Sequence, residues 1–330
     1  MPYLDKDFKP TIFEYTNVND YNRLLVYYPR KGGRGVLNCD FTYELLVTPT
    51  PTPTSSITPT PSITPTPTPS SSSISLDPDA AAYLADVVAS GGTTNPTIES
   101  AVDTLFTSLK SAGLYSKMDA FYPFVGSTAS SHSINALLNK TFDITWYGGM
   151  THGISGSTGD AVNGYGDTNF SMADFTDKSI SSFGLYLTAP QTNSSNTRLH
   201  GTFDGGRIAL ATNSGGNGYF GFYSTPYNST QPTEQTGMYS LVRTGTTEAP
   251  VYINENTTPF TTLTGSYSST TPVKPVYLFS FNFNNSPLGN SYTNDTLGFC
   301  YIGEGIDYSE TITLQGIINT FQTSLGRNTY

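Results

Sequence analysis

Apolar positions change their period several times along the chain. Between residues 76 and 112 the period is helical: Ile98, Val102, Leu105, Phe106 and Leu109 fall on one face. Asp77-Pro78 and Asn95-Pro96 are helix-start signals, with a side-chain acceptor followed by a proline preset for the first turn. Gly91-Gly92 and Gly113 are the matching stops. From Phe121 onward the period shortens to that of strands. Apolar or aromatic runs at 141–147, 182–188, 207–212, 219–223, 239–242, 251–253, 276–283 and 297–302 alternate with turns rich in Gly, Asn, Ser and Thr. Eight such runs predict two antiparallel sheets packed as a jelly-roll sandwich. The helical period returns at the end, where Leu314, Ile317, Ile318, Phe321 and Leu325 line one face. Asp307 with Glu310 three residues on has the form of a capping box. This C-terminal helix is expected to close the sandwich.

The first 47 residues carry β-branched or aromatic runs at 11–15, 24–28 and 41–47, with Pro29-Arg30-Lys31-Gly32-Gly33-Arg34-Gly35 as a turn. A module this small sits near the lower limit for an independent core, so it reads as an anchor that completes itself against a partner or another copy. Residues 48–75 bring in prolines at 49, 51, 53, 59, 61, 65, 67 and 69, without a charge or an aromatic ring. Such a tract holds extended polyproline-II geometry, and 28 residues reach at most roughly 87 Å. The expected organisation is therefore mainly β: an N-terminal β anchor (1–47), a Thr/Pro-rich linker (48–75), short helices (76–112) and a jelly-roll domain (113–330).

Charge sharpens this division. The whole chain has 15 basic and 25 acidic residues, a net charge of -10. Residues 1–47 are balanced, so the excess of acid belongs to the C-terminal part. An acidic chain is not a binder of nucleic acid through phosphate contacts. No run of apolar residues approaches a membrane span, and the start lacks the basic-then-apolar order of a signal peptide, so membrane insertion is not expected and synthesis in a cytoplasm is. Cys39 and Cys300 are too far apart in sequence to suggest a disulfide framework or a zinc site.

Little in the sequence announces catalysis. Gly216-Asn217-Gly218-Tyr219-Phe220-Gly221 spells a dinucleotide fingerprint, but strand-forming aromatics follow where a helix is required, so it reads as a hairpin. His132, His152 and His200 show no helical pair spacing and no nucleophile elbow. A glycosidase would present carboxylates on one face of a strand, and no Glu-x-Glu or Glu-x-Asp-x-Glu run occurs. No catalytic residue and no cofactor is expected, and the chain reads as a non-enzyme. Asp160 and Asp167, in a Gly-rich stretch read as a loop, are Ca²⁺ candidates, a solvated turn being the competing reading. Arg30, Lys31 and Arg34 are candidates for contact with an acidic partner surface. The 23 Tyr and the abundant Asn suit stacking and hydrogen bonding to sugars, or simply filling between sheets.

Gly113-Leu114-Tyr115-Ser116-Lys117-Met118-Asp119-Ala120-Phe121-Tyr122-Pro123-Phe124-Val125-Gly126, followed by Ala129-Ser130-Ser131-His132 and Asn135, resembles the opening of a domain found in tailed-bacteriophage virion proteins. Gly148-Gly149-Met150-Thr151-His152 and Asn163-Gly164-Tyr165-Gly166-Asp167-Thr168 continue the resemblance. Tyr301-Ile302-Gly303-Glu304-Gly305-Ile306-Asp307, through Phe321-Gln322-Thr323-Ser324-Leu325-Gly326-Arg327, is similar to its end. That resemblance implies a concanavalin A-like (laminin-G-like) jelly roll. It also implies a virion structural protein at the particle surface: a fibre (head or tail) or capsid decoration, anchored to other virion proteins through residues 1–47 and trimeric as such fibres are. The alternative it leaves open is a tail-fibre adhesin that recognises host-surface glycan.

Overall fold

The computed structural model describes residues 29–30, 33–34, 75–137, 141–189, 198–204, 206–214, 217–222, 227–230, 236–264 and 273–329. The chain divides into two units, Met1–Ser70 and Ser71–Tyr330. In the first, strands β1 (Pro29–Arg30) and β2 (Gly33–Arg34) form an antiparallel hairpin in which Arg30 pairs with Gly33 and Pro29 with Arg34. Lys31, the 48–74 stretch of the Thr-Pro tract and the expected strands at 11–15, 24–28 and 41–47 lie outside the described residues.

The second unit starts with helices α1 (Pro78–Ala89) and α2 (Pro96–Ser111). Asp77 accepts the Asp79 and Ala80 N–H groups and Asn95 accepts that of Ile98, so both helices begin where a capping side chain precedes a proline. Strand β3 (Met118–Tyr122) and the short helix α3 (Ala129–Ser133) follow. Next come β4 (Thr145–Tyr147), β5 (Thr151–Gly153), β6 (Gly156–Thr158), β7 (Tyr165–Ser171) and β8 (Ser181–Ala189). Successive strands β9 (Arg198–Phe203), β10 (Arg207–Ser214), β11 (Asn217–Phe222) and β12 (Tyr227–Thr230) make a meander. The remaining strands are β13 (Gly237–Val242), β14 (Glu248–Ile253), β15 (Thr261–Thr264), β16 (Pro275–Leu278), β17 (Phe281–Phe283), β18 (Ser286–Pro287) and β19 (Thr296–Glu304). Helix α4 (Tyr308–Ser324) ends the chain.

These strands form a nine-stranded sheet, ordered β12-β11-β10-β9-β16-β7-β4 with β17 and β18 attached at β9. The other sheet has eight strands, ordered β15-β14-β13-β8-β19-β6-β5 with β3 beside β19. One apolar core draws on both: Phe183, Leu185, Leu241, Val251 and Ile302 from the eight-stranded sheet meet Phe170, Ile208, Leu210, Phe220 and Leu278 from the nine-stranded one. A second core lies on the other side of the eight-stranded sheet. There Tyr186, Met238, Phe299 and Tyr301 pack against Leu84, Val87, Val102, Phe106, Leu314 and Phe321 of the helices. Period-2 alternation thus serves two cores at once: from Phe299 onward, Phe299 and Tyr301 of β19 face the helices while Cys300 and Ile302 face the other sheet.

The expected jelly roll is corrected by this topology. A jelly roll takes eight strands through two Greek keys; here the sheets hold nine and eight strands, and β17 joins β9 in parallel. Register shifts interrupt the pairing of β10 with both neighbours, of β16 with β7, and of β19 with both β3 and β8. Each such irregularity bends its strand and increases local twist, so the sheets are curled rather than flat layers. The apolar runs predict eight or more strands; those absent from the runs include β5, β6, β7 and β15, which are short or built largely from Gly, Thr, Asn and Ser. Their pairing comes from the neighbouring strands, not from their own apolar content.

Candidate functional site

The segment Tyr165-Gly166-Asp167-Thr168-Asn169-Phe170, whose Gly-rich approach suggested a loop, is strand β7. Its alternation is that of a strand with one face in the core: Phe170 and Thr168 are wholly buried, while Tyr165 and Asp167 stand on the outer face. Register then fixes their neighbours. Tyr147 of β4 lies opposite Tyr165, and Thr145 and Tyr277 flank Asp167 from β4 and β16. The three tyrosine rings stack across three adjacent strands, Tyr147 on Tyr165 at 4.8 Å between centroids and Tyr165 on Tyr277 at 4.7 Å. Tyr147 is 45% exposed, so the ladder ends in an open ring face.

The floor beneath is set by close backbone approach. Gly166 faces inward between strands, and a Cβ there would run into the Trp146 ring and Ile144. Beside the ladder two turns interlock. Asp160 Oδ1 accepts the N–H groups of Val162, Asn163 and Gly164 at 2.7–2.9 Å, and Asn163 Oδ1 accepts that of Gly149. Val162 stands 69% exposed on this loop.

The two aspartates differ electrostatically. Partial burial pushes the Asp167 carboxyl up, opposed only by the Asn169 N–H it accepts. Asp160 also meets a desolvation penalty, but its backbone donors outweigh it and hold the carboxyl below the usual range. Desolvation and the nearby Asp167 raise the Tyr165 and Tyr277 hydroxyls, with the Tyr147 ring contributing, so both stay protonated. The Tyr292 hydroxyl is raised by burial and by Asp160. The result is a hydroxyl-rimmed aromatic surface with carboxylate acceptors beside it.

The sequence-selected residues are placed as follows. Asp160 and Asp167 both lie at this face, but Asp160 already serves three backbone donors, and among the described residues no three His, Cys, Asp or Glu side chains gather as a metal site. Arg30 and Arg34 are on the β1–β2 hairpin of the first unit. Cys300 is a buried free thiol on β19. Asn217–Phe222 of the Gly-rich fingerprint is a strand paired on both sides, which leaves no helix to meet a pyrophosphate.

The histidines, which showed no pairing in sequence, do come together in part. His132 and His152 approach at 3.2 Å between Nδ1 atoms, and Ser157 Oγ lies 2.9 Å from the first and 3.2 Å from the second. The Ser127 N–H donates to His132 Nε2, so the His132 proton sits on Nδ1. That nitrogen then donates to Ser157, whose hydroxyl is free to donate to His152. Desolvation, then His152 and Arg327, lower His132 to about 3; desolvation lowers His152 to about 4. Both imidazoles are neutral, and the wholly buried Ser157 is a structural hydroxyl, not an exposed nucleophile. His200 stands apart, with Nε2 3.5 Å from Asp295 Oδ2 and Nδ1 accepting the Phe279 N–H.

No family model matches the chain, and no curated protein does. Solved structures similar to it include a Trypanosoma rangeli sialidase mutant displaying trans-sialidase activity (10% identity, TM-score 0.46). That match covers 66% of this chain and 39% of the sialidase, so the chain spans about two fifths of its length. Another is domain 4 of AbnA, a GH43 extracellular arabinanase from Geobacillus stearothermophilus, in complex with arabinotriose (15% identity, TM-score 0.39, 60% of this chain and 98% of that one). The botulinum neurotoxin serotype D binding domain is a third (7% identity, TM-score 0.41, 61% and 52%). At these identities and scores no residue role passes to this chain.

The expectation of a phage fibre or decoration protein is corrected here, since these similarities are to carbohydrate-active proteins and a toxin binding domain. The expectation of a non-enzyme is withdrawn with it, and no activity is assigned from matches at these scores. Of the segments that carried the phage resemblance, residues 118–122 and 301–304 lie on β3 and β19, which pair directly: Met118, Phe121 and Tyr301 face the helices, and Ala120, Tyr122 and Ile302 face the other sheet.

Proposed function

We propose that the Ser71–Tyr330 unit recognises carbohydrate on the outer face of its nine-stranded sheet. The observation that carries this is the Tyr147–Tyr165–Tyr277 ladder, with Tyr147 stacked on its register partner Tyr165, Tyr277 tilted against Tyr165, Tyr147 open and Asp167 beside them. Sugars present C–H faces that stack on aromatic rings and hydroxyls that donate to carboxylates, and this surface offers both. Host-surface glycan is the ligand class this reading favours.

The test is a glycan array probed with the full chain, followed by titration calorimetry on retained sugars. Tyr147→Ala is expected to weaken binding by about 1 kcal/mol, roughly fivefold, as loss of one aromatic contact does. An array with no retained sugar, or a Tyr147→Ala protein that binds as well as the parent, overturns the reading.

Glycoside cleavage at the same face is a second reading, favoured by the opposite displacement of the two carboxyls: Asp167 raised, Asp160 lowered. Release of reducing ends from a bound oligosaccharide, abolished in Asp167→Asn, supports it; intact sugar after prolonged incubation removes it.

A further inference from the structure

The outer face of the nine-stranded sheet carries a second aromatic platform. Phe203 of β9 and Phe283 of β17 stack almost parallel, 5.3 Å apart at 8°. The Arg207 guanidinium lies 4.9 Å from the Phe203 ring centre. Phe283 is 44% exposed, at the tip of a hairpin turned by Asn284 and Asn285, both with positive φ.

Register places this platform on the same side as the tyrosine ladder. Tyr277 pairs with Gly201, Gly201 with Ala209 and Phe203 with Arg207, while Ile208 and Leu210 of the same strand point into the core. Phe281 and Phe283 run beside Gly201 and Phe203 in the parallel pairing. Between the two platforms Phe281 and Ala209 are buried against each other, with Phe203 and Leu288 packed on them, so this part of the face is braced from beneath. From β4 to β9 is three strand spacings, and the platforms are also offset along the strands, which puts them roughly 15–20 Å apart.

A single terminal sugar covers one platform only. The geometry points to an extended, unbranched, neutral oligosaccharide lying obliquely across the strands, stacked on the open Tyr147 end of the tyrosine ladder at one end and on Phe283 at the other. Neutrality is set at the ladder end, where Asp160 and Asp167 disfavour an acidic sugar; the Arg207 cation at the other platform is already stacked on Phe203. This rests on the carbohydrate reading and adds chain length and charge to it.

The full chain is titrated with malto-, xylo-, cello- and arabino-oligosaccharides of two, four and six units, and with sialyl-lactose as the acidic probe. Affinity is expected to rise at least tenfold from two units to six in whichever neutral series binds. Phe283→Ala is expected to shrink that gain by about fivefold, Phe283→Tyr to keep it, and Tyr147→Ala to weaken short and long chains alike. Equal affinity for two and six units, an unchanged gain in Phe283→Ala, or preference for sialyl-lactose overturns the extended neutral ligand while leaving carbohydrate recognition standing. Binding of none of these probes, neutral or acidic, overturns both.

Discussion

Two groups show how single side chains set the protein's response to pH. The Asp119 carboxyl is raised to about 7, by desolvation first and then by Glu304 and Asp174. Its Oδ2 is enclosed without a hydrogen-bond partner. A raised carboxyl favours the protonated folded state, so the penalty on folding is full above about pH 7 and is relieved as pH falls toward the ordinary carboxyl value of 3.8. Asp119→Asn should therefore raise the thermal midpoint at pH 8 and leave it nearly unchanged at pH 4, read by circular dichroism melts. His132 has the opposite sign. Its folded value near 3 lies below the ordinary imidazole range, so the unfolded chain takes up the proton first as pH falls below about 6.5. Its contribution is fully present above that pH and is lost at up to about 1.4 kcal/mol per pH unit on the way down. His132→Asn should flatten this part of the urea midpoint between pH 6.5 and 4.5; an unchanged slope removes the assignment.

Among elements, α4 depends most visibly on its first turn. Asp307 accepts the Glu310 N–H, Glu310 accepts the Asp307 N–H, and Lys117 reaches Glu310 at 2.5 and 2.6 Å from the turn before β3. Asp307→Ala should cost about 1 kcal/mol of unfolding free energy, measured by urea titration. The caps and stripe of this helix are readable in sequence because they are local: the acceptor, the first-turn acid and the 3.6-residue period all lie within one segment. The same holds for α1 and α2. Strand β7 is the contrary case. The Gly-rich 159–167 stretch that leads into it reads as a loop, and Tyr165–Ser171 is a strand because β4 and β16 supply partners on either side. Gly201 shows the same dependence: its φ of 144° admits no ordinary side chain, and a Cβ there would collide with the Ile208 carbonyl of β10. Gly201→Ala is accordingly expected to lower the thermal midpoint by several degrees, more than Gly245→Ala, where the added Cβ meets open space.

At the scale of the molecule, the eight-stranded sheet works between two apolar layers. Its inner residues meet the other sheet, and its outer ones meet α1, α2 and α4. The nine-stranded sheet turns its outer face to the tyrosine ladder and the Phe203–Phe283 stack, and its function is proposed there. The sequence by itself determined the β character of the second unit, the three helices with their caps, the acidic balance and the abundance of Tyr, since each is a matter of composition or of neighbours within a few residues. It did not determine strand count or order. Short Thr-, Gly- and Asn-rich strands have no apolar signature, and their pairing is decided by partners distant in sequence, as with Thr158 of β6 and Thr296 of β19. Nor did it single out Tyr147, Tyr165 and Tyr277 among 23 tyrosines. Only the register of β4, β7 and β16 brings those rings to one face, because which side of a sheet a residue occupies is fixed by pairing and not by its identity.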